Sequence, residues 1–320
     1  DFYVLVGSQS NDGFYHLSLD DSDPSDSTQM FWIEGIDLHS EGNITLNNVE
    51  SHYNSLIGLR IDSYGSAPIT LSNIHISDNG SEGVYITAST GTTTIQGDSF
   101  SNGNGWGGVI IYTNGAITVK KLDAHGNGQA TGSAGFNTRE DGNPKAISLS
   151  NMNVGDNGGG GIIAHSTAAI TLNKVFAQWN QQHAILLDNC LDDGSNNCAG
   201  TGNVTLTSVF ANGNSGLGIE IWSKGVISLN TVDANDNWNA GIFLNNKFNG
   251  TLAGITLAKV RAENNGDTGI RLFTHGSLIM GNIKANNNAL TWGGVDSGQT
   301  MQDFYNTNKG PDHWWFYAEE

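Results

Sequence analysis

Seven residues in the C-terminal half carry the side chains that could do chemistry. Asp188, Glu220, Trp222, Phe243, Asn245, Arg271 and Phe273 fall at matching points of "HAILLD", "GIEIW", "GIFLN" and "GIRLF". Alternate residues of an extended segment share one face, so these side chains would stand together if the four phrases lay side by side. Trp222, Phe243 and Phe273 could stack on sugar rings, and Asn245 could bond their hydroxyls. Asp188 and Glu220 are the carboxylates available for glycosidic bond chemistry, which uses a facing pair. The plainer use of such a face is packing, under loops or against a neighbouring molecule. No Ser/His/Asp or Cys/His set has a marked spacing.

Whether these residues meet depends on the elements beneath them, and the chain repeats its own phrasing. "GNITLNNVESHYNSL" at 42–56 returns as "GNVTLTSVFANGNSG" at 202–216. The anchor residue recurs at Ile44, Ile69, Thr93, Ile117, Ile147, Ile170, Val204, Ile227, Ile255 and Leu278, a base period of 23 with insertions. Such a period signals a solenoid. Period-2 alternation in short runs broken by Asn and Gly reads as three strands per unit. Ten residues after the anchor stands Asn in nine of ten units, and Asn104 comes one position late together with Gly108, as a single inserted residue would cause. Asn tolerates left-handed turns, and stacked Asn side chains can bond one another at the ~4.8 Å strand spacing. An internal Asn ladder is expected.

These features resemble the right-handed parallel β-helix shared by pectate lyases, polygalacturonases, phage tailspikes and many bacterial surface proteins. The resemblance runs from residue 35 to about 300 and implies an all-β solenoid of about ten full coils plus a partial first one. "AITLNKVFA" and "AILLDNCLDDGSNNCAGTGNVTL" are similar in wording to repeats of very large secreted bacterial proteins, which implies a surface or matrix role. The polygalacturonase motifs Asn-Thr-Asp, Gly-Asp-Asp and Gly-His-Gly have no match at "NSGLGIEI", "NQQHAILL" or "NGDTGIRL". Pectate lyases pair a catalytic Arg with a calcium cage. Arg271 and Glu220 lack the further carboxylates of such a cage, so Glu220, Asp188 and Arg271 are catalytic candidates only if the protein is an enzyme.

Composition narrows the partners. Net charge is −18, with 31 acidic and 13 basic residues, which excludes the basic clusters that nucleic acid or anionic lipid requires. No apolar run approaches ~18 residues, so membrane insertion is not expected. Cys190 and Cys198, in "CLDDGSNNC", read as a disulfide made in an oxidising compartment, and the protein as extracellular or surface-displayed. The chain opens at Asp1, as a processed product, a fragment or a trimmed chain would. No cofactor is expected, apart from a weak calcium candidate at Asp20, Asp21, Asp23 and Asp26. The file Thr45, Thr70, Thr94, Thr118 suits an exposed strand.

Insertions lengthen units 4, 6 and 8, so longer loops should leave every second coil along one edge. The expected organisation is a hairpin cap over 1–30 turning at Asn11-Asp12-Gly13, a β-helix over 31–300 and an aromatic tail over 301–320. Trp314, Trp315, Phe316 and Tyr317 at one end and Phe2 and Tyr3 at the other are read as caps, or as a head-to-tail contact between copies. The favoured function is a non-enzymatic structural or adhesive solenoid. The alternative is a polysaccharide lyase, hydrolase or binding module using the face of coils 6–9.

Overall fold

The computed structural model describes residues 4–7, 34–138, 145–190, 198, 200–248, 252–289 and 315–318. Every described element of regular structure is a strand, and no described helix is long and apolar enough to cross a membrane. The chain winds as a parallel β-helix whose strands form one sheet of thirteen (sheet 1) and one of eleven (sheet 2). Parallel strands joined by such crossovers are right-handed in nearly all proteins.

The register follows the anchor residues. Ile44 pairs with Ile69, Ile147 with Ile170, Val204 with Ile227 and Ile255 with Leu278. Alternation buries Ile44, Leu46 and their equivalents in one core that runs the length of the rod. Large and small residues share the core along one strand: Phe136 is fully buried beside Ile162, and two residues on Thr138 pairs with the small Ala164. Filling this space to native density leaves no room for a second large side chain.

Two expectations are refined. Three strands per coil were expected, but in most coils the first two run on as one bent strand, such as Asn43–His52 or Ile170–Gln178. The bend is one residue at positive φ, Asn48, Asn73, Asn151, Lys174, Ser208 or Thr231, which turns the backbone without ending the ladder. The coil of Thr93 instead carries Gly97-Asp98-Ser99 between Gln96 and Phe100, partners of Ser72 and His75, and there the strand divides. That is the inserted residue behind the late Asn104.

The second refinement concerns the Asn ladder. Ten Asn side chains, from Asn54 to Asn288, are joined by nine Nδ2–H···Oδ1 bonds of 2.8–3.1 Å. None of them is left-handed. The residue just before each one is: Tyr53, Asp78, Gly103, Gly126, Asp156, Trp179, Gly213, Asp236, Asn264 and Asn287. The preceding residue makes the turn, and Asn satisfies it. Each Oδ1 accepts a second bond, from the backbone N–H of the Asn one coil earlier, as Asn157 does from Asn127 at 3.0 Å. The other amide hydrogen of Asn157 reaches the Ala124 carbonyl at 3.0 Å. The recurrent glycine ahead of the third strand follows from this packing. A Cβ on Gly58 or Gly83 would lie 2.5 Å from the ladder amide of Asn79 or Asn104.

Val4–Gly7 lies antiparallel on Asn43–Leu46 at the first edge of sheet 1. The expected turn at 11–13, the acidic run Asp20–Asp26 and residues Phe2, Tyr3 and Trp314 lie outside the described residues. At the other end Trp315–Ala318 adds in parallel to Ile270–Thr274 of its own last coil. Cys190 and Cys198 form the expected disulfide, with Cα atoms 4.4 Å apart, which fits an oxidising compartment.

Replacing Asn157 by Ala would strand the backbone N–H and side-chain amide of Asn127 and the carbonyl of Ala124 in a fully buried turn. The expected loss is about 3 kcal/mol or more. Thermal unfolding followed by circular dichroism measures it, and an unchanged melting temperature would mean the ladder adds no net stability.

Candidate functional site

The outer face of sheet 2 gathers the residues singled out by type. Its strands are short and their inner residues are fixed in the core, so alternate side chains must face outward. One outward column runs Asp37, Arg60, Tyr85, Ile110, Asn137, Ile163, Leu186, Glu220, Phe243, Arg271. Next to it, His165, Asp188, Trp222, Asn245 and Phe273 pair in sequence. All seven predicted residues are therefore on one face. Insertions leave beside it, after Phe136–Thr138, Ile185–Asp188 and Ile242–Asn246.

Towards the C-terminal end the face is aromatic. Trp222 and Phe243 have ring centroids 5.3 Å apart, and Phe243 and Phe273 5.6 Å apart, both pairs tilted. The indole N–H of Trp222 donates to Glu220 Oε1 at 2.8 Å, and His183 Nε2 lies 3.7 Å from Oε2. His183 is itself oriented, because its Nδ1 accepts the Leu217 N–H at 3.2 Å. Glu220 is thus a half-buried carboxylate held in one direction by a ring that could also stack on a ligand. Arg271 lies over Phe243 and Phe273, its guanidinium carbon 5.8 and 5.0 Å from the two ring centroids.

Two predicted residues are turned to other work. Asp188 Oδ1 accepts the Cys190 N–H at 2.7 Å, and Asn245 Oδ1 accepts the Lys247 N–H at 2.9 Å. Both cap the turn where an insertion leaves. Asp188 stands beside Trp222 in register, and Glu220 beside Leu186, so the two carboxylates are offset by a column and a coil.

The other end of the same face was not singled out from the sequence. There Asp37, His39, Arg60, Asp62 and Tyr64 form a network over the first two coils. His39 Nε2 lies 3.2 Å from Asp37 Oδ2, and Nδ1 lies 3.0 Å from the Tyr64 hydroxyl. Arg60 Nε donates to Asp62 at 3.0 Å and Nη1 to Glu34 at 3.1 Å. Burial, outweighing the bond from Arg60, holds the Glu34 carboxyl above the usual carboxylate range. Asp37, His39 and Asp62 each place a ligand-type atom within 4.8 Å of the others. Arg60 already supplies the positive charge that a metal ion would bring, and an ion would have to displace it. The signal was available as two acid–base pairs, Asp37/His39 and Arg60/Asp62, spaced two apart on adjacent strands.

Sequence reading also missed a second buried polar column, at the ends of the sheet 2 strands. Asn189 donates to the Ser166 carbonyl at 2.8 Å, Ser223 donates to Asn189 Oδ1 at 3.2 Å, and Thr274 to Asn246 Oδ1 at 2.9 Å. Ser, Asn and Thr alternate there, so no single residue type marked the column.

One family model agrees with the architecture. Residues 34–174 match the family model described as a right handed beta helix region. The A-module of the mannuronan C-5 epimerase AlgE4 of Azotobacter vinelandii superposes with 14% identity and a TM-score of 0.41, over 81% of this chain and 90% of that module. No curated protein matches. The chain is a parallel β-helix protein.

Arg60→Ala would leave Glu34, Asp37 and Asp62 without the guanidinium they share, with only His39 beside the two aspartates. Glu34 is already raised by burial, so its ionised form opposes folding, and the strain grows as pH rises through its folded pKa. After allowance for solvent screening, the expected loss is about 1 kcal/mol at pH 7, shrinking by about pH 4 as Glu34, held above its ordinary value by burial, takes up its proton. Melting temperatures of both proteins at the two pH values check the sign, which is wrong if the variant's deficit grows on acidification.

Proposed function

We propose that this protein is an extracellular adhesive solenoid that holds a polysaccharide along the outer face of sheet 2, over coils 6–9. The observation that carries the reading is the run of Trp222, Phe243 and Phe273 beside a carboxylate fixed by Trp222 and His183. Tilted rings on successive strands offer a stepped apolar floor, and a held carboxylate accepts hydroxyl hydrogen bonds without first losing side-chain entropy. A rod with one core resists bending, so spaced contacts can be engaged together by one long ligand.

Self-association is a second reading, favoured by one observation. The outermost described strands of sheet 2 are Ile36–Ser40 and Trp315–Ala318, which run parallel. A second copy stacked end to end would continue the sheet through these two strands, a heterologous contact that builds a filament if its rotation does not close. Concentration-dependent sedimentation of the full chain, set against a chain lacking residues 311–320, decides this reading.

Binding is tested by affinity electrophoresis in neutral and charged polysaccharides. Trp222→Ala should weaken retention about tenfold or more, since a stacked aromatic is worth about 1–3 kcal/mol with its buried area. Retention that survives this change places the ligand elsewhere. Reducing ends and unsaturated products are followed in the same samples. Turnover abolished by Glu220→Gln would make the protein an enzyme acting at this face, and its steady absence would leave a binding module.

A further inference from the structure

Arg271 stands apart from the other described arginines. Arg60 is bonded to Glu34 and Asp62, and Arg261 to Glu263 and, at 4.0 Å, to Asp233. Among the described residues Arg271 makes no ion pair and no side-chain hydrogen bond, although the protein carries 31 acidic residues against 13 basic ones. It is exposed, and its guanidinium lies over the Phe243 and Phe273 rings. Glu220, the nearest acid in its own column, lies two strands away with Phe243 between them, about 10 Å at the strand spacing.

An arginine held over two rings keeps its charge and its planar set of N–H donors while losing much of its freedom to turn. The rings take up the guanidinium face, and the in-plane donors are left for an acceptor that can be met two at a time. Carboxylates and sulfate groups have that shape. Neutral hydroxyls do not need it, and none of the described carboxylates pairs with it.

We propose that Arg271 is the oxyanion subsite of the sheet 2 face, so that the bound glycan carries a carboxylate or a sulfate on the sugar seated at Phe243 and Phe273. This rests on the reading of the face as a glycan-binding surface. It also gives the bound chain a direction. The oxyanion lies in the coil of Arg271, and a hydroxyl-bearing ring lies over Trp222, within reach of Glu220.

Two pairs of probes separate charge from backbone: polygalacturonate with its full methyl ester, and dextran sulfate with dextran. The charged member of at least one pair should bind about tenfold tighter or more, the scale of a charge-assisted hydrogen bond. Which pair responds identifies carboxylate or sulfate. Arg271→Ala should erase the difference within the pair, while Arg271→Lys, which keeps the charge but not the planar donor set, should keep only part of it. Circular dichroism of both variants confirms that the coils are intact. Equal binding within both pairs, or a difference that survives Arg271→Ala, overturns the proposal. If the neutral members bind equally well and depend on Trp222, the glycan reading stands and this inference alone falls. No binding of any of the four overturns both.

Discussion

The Asn ladder is the interaction on which the rest of the structure depends. Ten amides hydrogen-bonded in one direction close the tight turn of every coil, and each one ties two successive turns together by side chain and backbone at once. An unbonded amide buried there would cost more than a made bond returns, so the ladder tolerates no slip. It explains the positive φ one residue earlier and the glycine ahead of the third strand. It also fixes which strand residues face inward, because a one-residue change of register would turn every core side chain out to solvent.

Fixing the turn on one side leaves most of the length variation to the other. The extra residues of coils 6 and 8 leave after the sheet 2 strands, and those of coil 4 lie on both sides of Phe136–Thr138 while its Asn127 stays in the ladder. At this permissive edge a second buried column of Ser, Asn and Thr closes the strand ends. Asp188 and Asn245 cap the loops that depart from it. Sheet 2 therefore has a rigid floor and a variable rim, the usual arrangement for a binding surface held by a scaffold.

The two ends of that floor differ in how far their charges are already satisfied. Over the first two coils Glu34, Asp37, His39, Arg60, Asp62 and Tyr64 are paired with one another, with Asp37 Oδ1 left without a hydrogen bond. Binding a ligand there would mean breaking existing pairs. Over coils 6–9 the same sheet carries rings, a carboxylate oriented by an indole and an imidazole, and an arginine with no acidic partner among the described residues. Fixed groups with unused capacity favour binding, because less must be undone or ordered when the ligand arrives.

Much of this was legible in the sequence. Alternating Ile, Leu and Val at a period of 23 determines which residues are core, since only one stacking register buries them all. The Asn at anchor plus ten determines the ladder, and the register in turn determines that Glu220, Phe243 and Arg271 share a column. Cys190 and Cys198 were readable because a short Asp/Asn/Gly-rich loop joins them. What the tertiary structure alone decided were the partners of each side chain. Asp188 and Glu220 looked equivalent as acids on adjacent strands, yet one caps the Cys190 turn and the other is held by Trp222 and His183. The network at Arg60 looked like four unrelated charges until two strands were placed side by side. Arg271 was one cation among several until its neighbours were seen to be rings. A repeat determines position, because burial repeats with the strand. It does not determine what an outward side chain bonds, because that depends on the coils above and below, where the sequence changes freely.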